Sequence, residues 1–456
     1  SDRHAWFQAA LKDPFGKYGK YYVFREGKDG KEPNNWRSIF GGSAWEKVPG
    51  YDNLYYLHIF TKEQPDLNWE NPKLREEIYE MILKWMDLGL GGFRLDAISH
   101  LKKNYQYTNL PPDGPDEYNM AFEYFNNVDG LADILCEMKE RTFAPTDALT
   151  IGEYDHMGPE DVEDVIGENG SFSSVFDFCH TLDNVRNPKW GNTVALFDDY
   201  RDQLFAAQKI VDGRGMLCNF LENHDKTRII DRFLMPEDQN RYSEKMLPVT
   251  NFFLPGIVFL YQGQEIGMTN CHRNDISEYD DISTKDQYQV AIDAGCTKEE
   301  ALACCYENSR DNARTPMQWS ADENGGFSAH APWLAVNPNY KEINVSEQEG
   351  RADSVLSYYK ELIKLRKSPE YEETFVYGNV EPVYEDTDTV FGFMRMGKEN
   401  RQKILVAANY GKEAVSLPLP GTAKKLLLSN AGRRKLADAD HITLESLETA
   451  VVLLKA

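Results

Sequence analysis

A unit that recurs in form but not in letters constrains this 456-residue chain most: a short apolar run, a polar residue at its end, then a helix-forming stretch. Gly92 to Asp96 is one such run, and Ala148 to Gly152, followed by Glu153, is a second. Met216 to Leu221 leads into Glu222-Asn223-His224-Asp225, and Ile257 to Tyr261 into Gln262-Gly263-Gln264-Glu265. Phe172 to Phe178 is a weaker fifth. Buried strands that alternate with helices predict parallel βα units. Polar residues at the strand ends are what a (β/α) barrel presents at its catalytic face. No fixed period suggests a solenoid.

The rest of the chain falls around this core. Residues 1–70 are rich in Gly, Pro, aromatic residues and charge, and predict an irregular, loop-rich excursion. A helix follows: Asn71 is placed to cap it, Pro72 sits at the first helical position, and Gly89 stops it. Leu74, Ile78, Met81, Ile82, Trp85 and Met86 recur on one face. Residues 71–368 are expected to be the catalytic part, with a long Asp-, Asn- and Glu-rich insertion at 265–350 and a helix from Ser354 to Lys367. Past Pro369 the texture changes. Phe375 to Tyr377, Val390 to Met396, Lys403 to Asn409, Lys425 to Leu428 and Thr449 to Leu454 predict an antiparallel sheet domain over 369–456.

Composition excludes some functions. A hydrophobic fraction of 41% predicts a globular chain with a large core. The net charge of −24 repels phosphate backbones and anionic lipid, so neither nucleic acid nor a membrane surface is an expected partner. A neutral sugar is not penalised. The longest apolar stretch, Asn251 to Tyr261, is too short to span a bilayer and is broken by Pro255 and Gly256. The seven cysteines, Cys304 and Cys305 adjacent among them, show no zinc-like spacing and predict reduced, mostly buried thiols. With no visible targeting segment, a cytoplasmic setting is expected. Oligomeric state is not legible.

Asp96, Glu153 and Asp225 stand at the ends of three different strands. Glycoside hydrolysis needs one charged carboxylate, to attack or stabilise an oxocarbenium-like centre, and one protonated carboxyl for the leaving oxygen. A third carboxylate raises the acid's pKa and binds hydroxyls. Arg94 lies two residues before Asp96, on the same strand face, where it orients that carboxylate. With 74 acidic residues in the chain, three at strand ends also arise as caps or solvated loops, so position alone leaves both readings open.

Motifs carry the argument further. Gly92-Phe93-Arg94-Leu95-Asp96-Ala97 resembles the segment of the α-amylase superfamily (glycoside hydrolase family 13) that carries the nucleophile on the fourth barrel strand. Leu149-Thr150-Ile151-Gly152-Glu153 resembles the fifth-strand segment with the acid/base. Glu222-Asn223-His224-Asp225 resembles the seventh-strand segment with the stabilising Asp and a sugar-binding His. Gln64-Pro65-Asp66-Leu67-Asn68 and Arg310-Asp311-Asn312-Ala313-Arg314-Thr315-Pro316-Met317-Gln318-Trp319 are similar to segments of the oligo-1,6-glucosidase group. The resemblance implies that Arg314, like Arg94 and His224, is a substrate-binding residue. It implies a (β/α)8 TIM-type barrel with a loop-rich B domain and a C-terminal antiparallel β domain.

The implied activity is that of a retaining α-glucosidase, with Asp96 as nucleophile, Glu153 as general acid/base and Asp225 as stabiliser. It would release glucose from the non-reducing end of short α-1,6- or α-1,4-glucosides. Ala97 stands where the family sorts linkage, and a small residue there leans toward α-1,4, against the Gln64 to Asn68 signature. Alternatives are a transglucosylase, a sucrose isomerase-like enzyme, an inactive fragment or a non-catalytic partner protein. Residues similar to Ser1 to Phe7 follow the third barrel strand in the family, so the first three strands are expected to lie outside this sequence. At about 30 residues per βα unit, that is on the order of 100 residues. No cofactor is expected; the Ca²⁺ cluster of some members belongs to that absent part. His180 is read as a core histidine or a sugar contact, Glu222 as an acceptor-site residue or a partner of Arg228, and Arg228 itself as structural.

Overall fold

The aromatic residues that crowd the start of the chain form a core of their own and bring regular structure with them. The computed structural model describes residues 1–114, 116–178, 197–211 and 213–455, in two compact units, Ser1–Asp177 and Phe178–Ala456. In the first unit, helix α1 (Ala5–Lys12) precedes a three-stranded antiparallel sheet of β1 (Phe24–Glu26), β2 (Trp45–Lys47) and β3 (Leu54–Leu57), with β3 central. Outside these elements most of residues 1–70 is loop; elements this short contain too few periods to register in a sequence pattern. Phe7 and Ala10, three apart on α1, pack on Tyr22, Phe24 and Tyr56. Residues beyond 70 also complete this region. Fully buried Trp36 donates its indole N–H to the Thr108 carbonyl at 3.0 Å, and Arg37 forks onto Asp113 and Asp116.

Helix α2 (Pro72–Asp87) starts as predicted, with the Asn71 side chain accepting from the Lys73 N–H at 3.0 Å. Its buried row is Leu74, Tyr79 and Ile82. Met81 and Trp85, read as part of that stripe, are half-exposed; they lie on the adjoining row, beyond the surface that α3 (Leu131–Met138) and Phe143 cover. Strands β4 (Gly92–Leu95), β5 (Leu149–Tyr154) and β6 (Ser174–Asp177) run parallel in that order. Glu153 therefore lies inside β5, paired with Phe176, instead of following it as the sequence suggested. Gly92 is required by proximity: a Cβ there would stand 1.9 Å from the Leu149 carbonyl oxygen.

In the second unit, β7 (Cys218–Asn219) and β8 (Ile257–Val258) are a parallel pair, shorter than the predicted runs because two residues on each strand make up the whole ladder. The C-terminal region forms a five-stranded antiparallel sheet, ordered β13-β15-β11-β10-β9, and a separate β12-β14 pair. Its members are β9 (Asn379–Val383), β10 (Val390–Met396), β11 (Lys403–Asn409), β12 (Val415–Pro418), β13 (Ala423–Ser429), β14 (His441–Leu444) and β15 (Thr449–Leu454). The predicted strand at Phe375 to Tyr377 is instead a wide helical turn, Glu373–Tyr377. It is wider than an α-turn because the Gly378 N–H returns to the Glu373 carbonyl, five residues back. The sheet's apolar face packs on the helices Phe197–Val211, Arg241–Phe252 and Val355–Arg366 in one continuous core. Ser354 caps the last of these, accepting from the Ser357 N–H.

Two buried guanidiniums fasten sheet to helices. Arg366 donates to the carbonyls of Phe252, Leu254, Gly256 and Phe375. Arg395, on β10, donates to those of Phe253, Phe375, Gly378 and Asn379. Several of these carbonyls are the orphan acceptors that a helix end leaves behind. All six cysteines among the described residues are free thiols; three are buried, fewer than the sequence reading expected. Among the described residues no helix is long and apolar enough to cross a membrane, and no cluster of three His, Cys, Asp or Glu side chains is placed to hold a metal ion.

Candidate active site

The first cluster is built on the parallel strands. Arg94 on β4 forks between two carboxylates: one terminal nitrogen donates to Glu153 Oε2 at 2.6 Å and the other pairs with Asp96. The backbone N–H of Ala97 donates to the same Glu153 oxygen at 3.1 Å. It reaches that oxygen because Ala97 adopts a left-handed conformation, φ 47° and ψ 40°. For a residue with a Cβ this costs about 1–2 kcal/mol. Gly152 makes room for the turn that follows, since a Cβ there would come within 2.4 Å of Ile98 Cδ1.

The two carboxylates differ in environment. The Asp96 side chain is 76% exposed, that of Glu153 only 21%. Burial pushes the Glu153 pKa above its ordinary value, and the nearby negative charge of Asp96 pushes the same way; Arg94 and the Ala97 N–H pull against it. Glu153 thus retains a proton to higher pH than a free glutamate, while Asp96 is open to solvent and ion-paired. One carboxyl is suited to donate a proton and its neighbour to attack.

The second cluster surrounds Asp225. Asn223 Oδ1 accepts the Asp225 N–H at 2.8 Å and so fixes the turn after β7. Arg314 donates to Asp225 Oδ1 at 2.6 Å and to the His224 carbonyl at 2.9 Å; Arg310 reaches the same Asp225 oxygen at 3.4 Å; His224 Nε2 lies 3.2 Å from the other. Burial alone would raise the Asp225 pKa, but the His224 hydrogen bond and the charges of His224, Arg310 and Arg314 outweigh it and hold the group at about 2. Asp225 is therefore an anion that keeps its charge in a partly dry place, fit to accept hydroxyls or to face a positive centre.

Each predicted site residue can now be placed. Arg94, Asp96 and Glu153 come together in one unit, and His224, Asp225 and Arg314 in the other. The sequence reading missed Arg310 and the buried Asp281 that pairs with it and caps the helix Ile282–Asp293. Arg310 heads the quoted motif, so the signal was there; Asp281 had only the form of a helix cap. Glu222 and Arg228 are a fully buried ion pair at 2.9 Å, with Glu222 also accepting the Ile229 N–H, so of the two readings of Glu222 the structural one holds. Within Gln64 to Asn68, Asp66 accepts the Ile59 N–H at 2.6 Å and pairs with buried Lys103, a bracing role. His180 lies outside the described residues.

Against this geometry stand the matches to known proteins. The family model described as alpha amylase, catalytic domain, matches residues 1–378. The chain belongs to the α-amylase family. It is 37% identical to the oligo-1,6-glucosidase of Parageobacillus thermoglucosidasius over 100% of this chain and 81% of that protein. The isomaltulose synthase of Klebsiella sp. LX3 superimposes with a TM-score of 0.91 at 32% identity, covering 100% of this chain and 81% of that one. The trehalose-6-phosphate hydrolase of Bacillus licheniformis, in an R201Q variant, gives a TM-score of 0.89 at 32% identity over 100% and 82%. Like other α-amylase family members, the chain is a glycoside hydrolase of the TIM-barrel fold class, and its β9–β15 region is the C-terminal β domain.

Proposed function

We propose that this protein is a retaining α-glucosidase that releases glucose from the non-reducing end of short α-1,6- and α-1,4-glucosides. The observation that carries the reading is the fork of Arg94 between an exposed Asp96 and a buried Glu153. A shared guanidinium draws the two carboxyls together, which supports the retaining arrangement, with the pair about 5 Å apart, over the roughly 7–9 Å of inverting enzymes.

Asp96 attacks the anomeric carbon as the glycosidic C–O bond breaks, and Glu153 gives its proton to the leaving oxygen. Glu153, now charged, takes a proton from water; the water oxygen bonds to the anomeric carbon and Asp96 is released. Asp225, held anionic by His224, Arg310 and Arg314, is assigned to the hydroxyls of the distorted ring and to the transition-state charge. Arg94, His224 and Arg314 are the assigned substrate-binding groups. Oligo-1,6-glucosidases among the relatives support the α-1,6 activity.

A second reading has its own support. A solved relative is an isomaltulose synthase, and such an enzyme passes the glucosyl group to a sugar hydroxyl instead of water. Incubation with isomaltose, maltose and sucrose separately, with product analysis, tests both. Free glucose from isomaltose or maltose is the expected result; rearranged sucrose in place of free hexoses favours the isomerase; no product from any of the three contradicts both.

A further inference from the structure

Tryptophan is the side chain that gains most from burial, yet Trp333 is 68% exposed. Exposed aromatic residues that stand alone are common and mean little. Trp333 differs because its ring is fixed. The indole N–H donates to Asp280 Oδ2 at 2.8 Å, and the other oxygen of Asp280 lies 3.7 Å from Lys285 Nζ. Trp319 and Phe327 are half-exposed in the same loop region.

The anchor leads back to the Asp225 cluster within the same unit. The N–H groups of Asp280 and Asp281 both donate to Asp311 Oδ2, at 2.7 and 3.1 Å. Asp281 grips Arg310, and Arg310 reaches Asp225. Trp333 thus stands at the outer end of a line of hydrogen-bonded residues whose inner end is the carboxylate assigned to the reacting glucose. Its own polar atom is occupied, so what it offers to solvent is an apolar π face of set orientation. The C–H face of a pyranose ring is the partner such a surface fits.

We infer that Trp333 is a stacking platform for a glucosyl unit beyond the first leaving-group sugar, so that the protein is tuned to trisaccharides and longer chains. This rests on the α-glucosidase reading and extends it to substrate length. Stacking on an aromatic ring is worth about 1–3 kcal/mol where it has been measured for nucleobases, roughly five- to 150-fold in binding.

The test compares isomaltose with isomaltotriose. In Trp333→Ala the KM for isomaltotriose is expected to rise about tenfold with kcat unchanged, while isomaltose kinetics stay as in the unsubstituted protein; Trp333→Phe keeps most of the preference. An equal effect on both sugars, or none on either, overturns the proposal. A second measurement needs no variant: oxidative labelling of the unsubstituted protein, read by peptide mass spectrometry, with and without isomaltotriose. Shielding of Trp333 by the trisaccharide but not by glucose supports the platform. Hydrolysis of both sugars with Trp333 unshielded overturns the platform alone, whereas shielding without hydrolysis of either overturns the hydrolase reading alone.

Discussion

Arg94 does two opposed things to one residue, and this makes it a good probe. It orients Glu153 and, by its charge, pulls down a pKa that burial has raised. In Arg94→Met the alkaline limb of kcat/KM, which reports the proton on the general acid, is expected to move to higher pH while the rate falls at least tenfold; an unmoved limb would mean that Glu153 is not the acid. Asp225 gives the opposite sign. Its folded pKa of about 2 lies below its ordinary 3.8. Its charge therefore stabilises the fold fully above about pH 4, and that contribution is lost as pH falls through 2. Asp225→Asn is expected to be less stable than the parent at pH 6, with the gap narrowing between pH 4 and pH 2 in denaturant titrations. A gap that widens toward acid would contradict the assignment.

Element by element, two glycines separate backbone from side-chain constraints. A Cβ on Gly92 would meet a carbonyl oxygen of the neighbouring strand at 1.9 Å, and a backbone ladder cannot step aside. At Gly152 the obstacle is the tip of Ile98 at 2.4 Å, which can turn away. Gly92→Ala should abolish the folded state or cost well over 3 kcal/mol, whereas Gly152→Ala should cost about 1–3 kcal/mol, partly recovered by Ile98→Val; thermal unfolding compares them. The same elements show what was legible in the sequence. The α2 cap, the strand at Gly92 and the three carboxylates could be read because each is local: a cap before a proline, an apolar run, a charged residue at its end. The Asp281–Arg310 pair could not, since those residues are far apart in sequence and meet only because the helices Ile282–Asp293 and Lys298–Asn308 pack against one another. Nor could α1 and the small sheet, whose aromatic residues carry no periodicity, or the turn at Glu373–Tyr377, where apolar residues with strand propensity are held in a helix by packing on the C-terminal sheet. Motif resemblance reached the site where periodicity did not, because the site residues lie in contiguous segments.

Across the whole molecule, buried charge serves fastening as well as chemistry. Arg395 is fully buried and spends its guanidinium on backbone carbonyls from a helix end, a turn and an edge strand. Arg395→Met takes a donor from each of those acceptors; the Phe375 carbonyl keeps Arg366, and the others cost roughly 1–3 kcal/mol each where no water reaches them. A fall of several degrees in the unfolding midpoint is expected, and Arg395→Lys should not restore it, because an ammonium lacks the planar fork; a midpoint equal to the parent's would show the carbonyls satisfied otherwise. The proposed mechanism rests on one covalent event, the bond between Asp96 and the anomeric carbon. The most direct measurement is the mass of the protein quenched in acid within seconds of mixing with an activated α-glucoside, followed by peptide mapping. A protein heavier by one glucosyl residue, with the added mass on the peptide that holds Asp96 and absent in Asp96→Asn, is the predicted result. A protein that turns the glucoside over with no adduct at Asp96, or with the adduct on another carboxylate, would contradict the account.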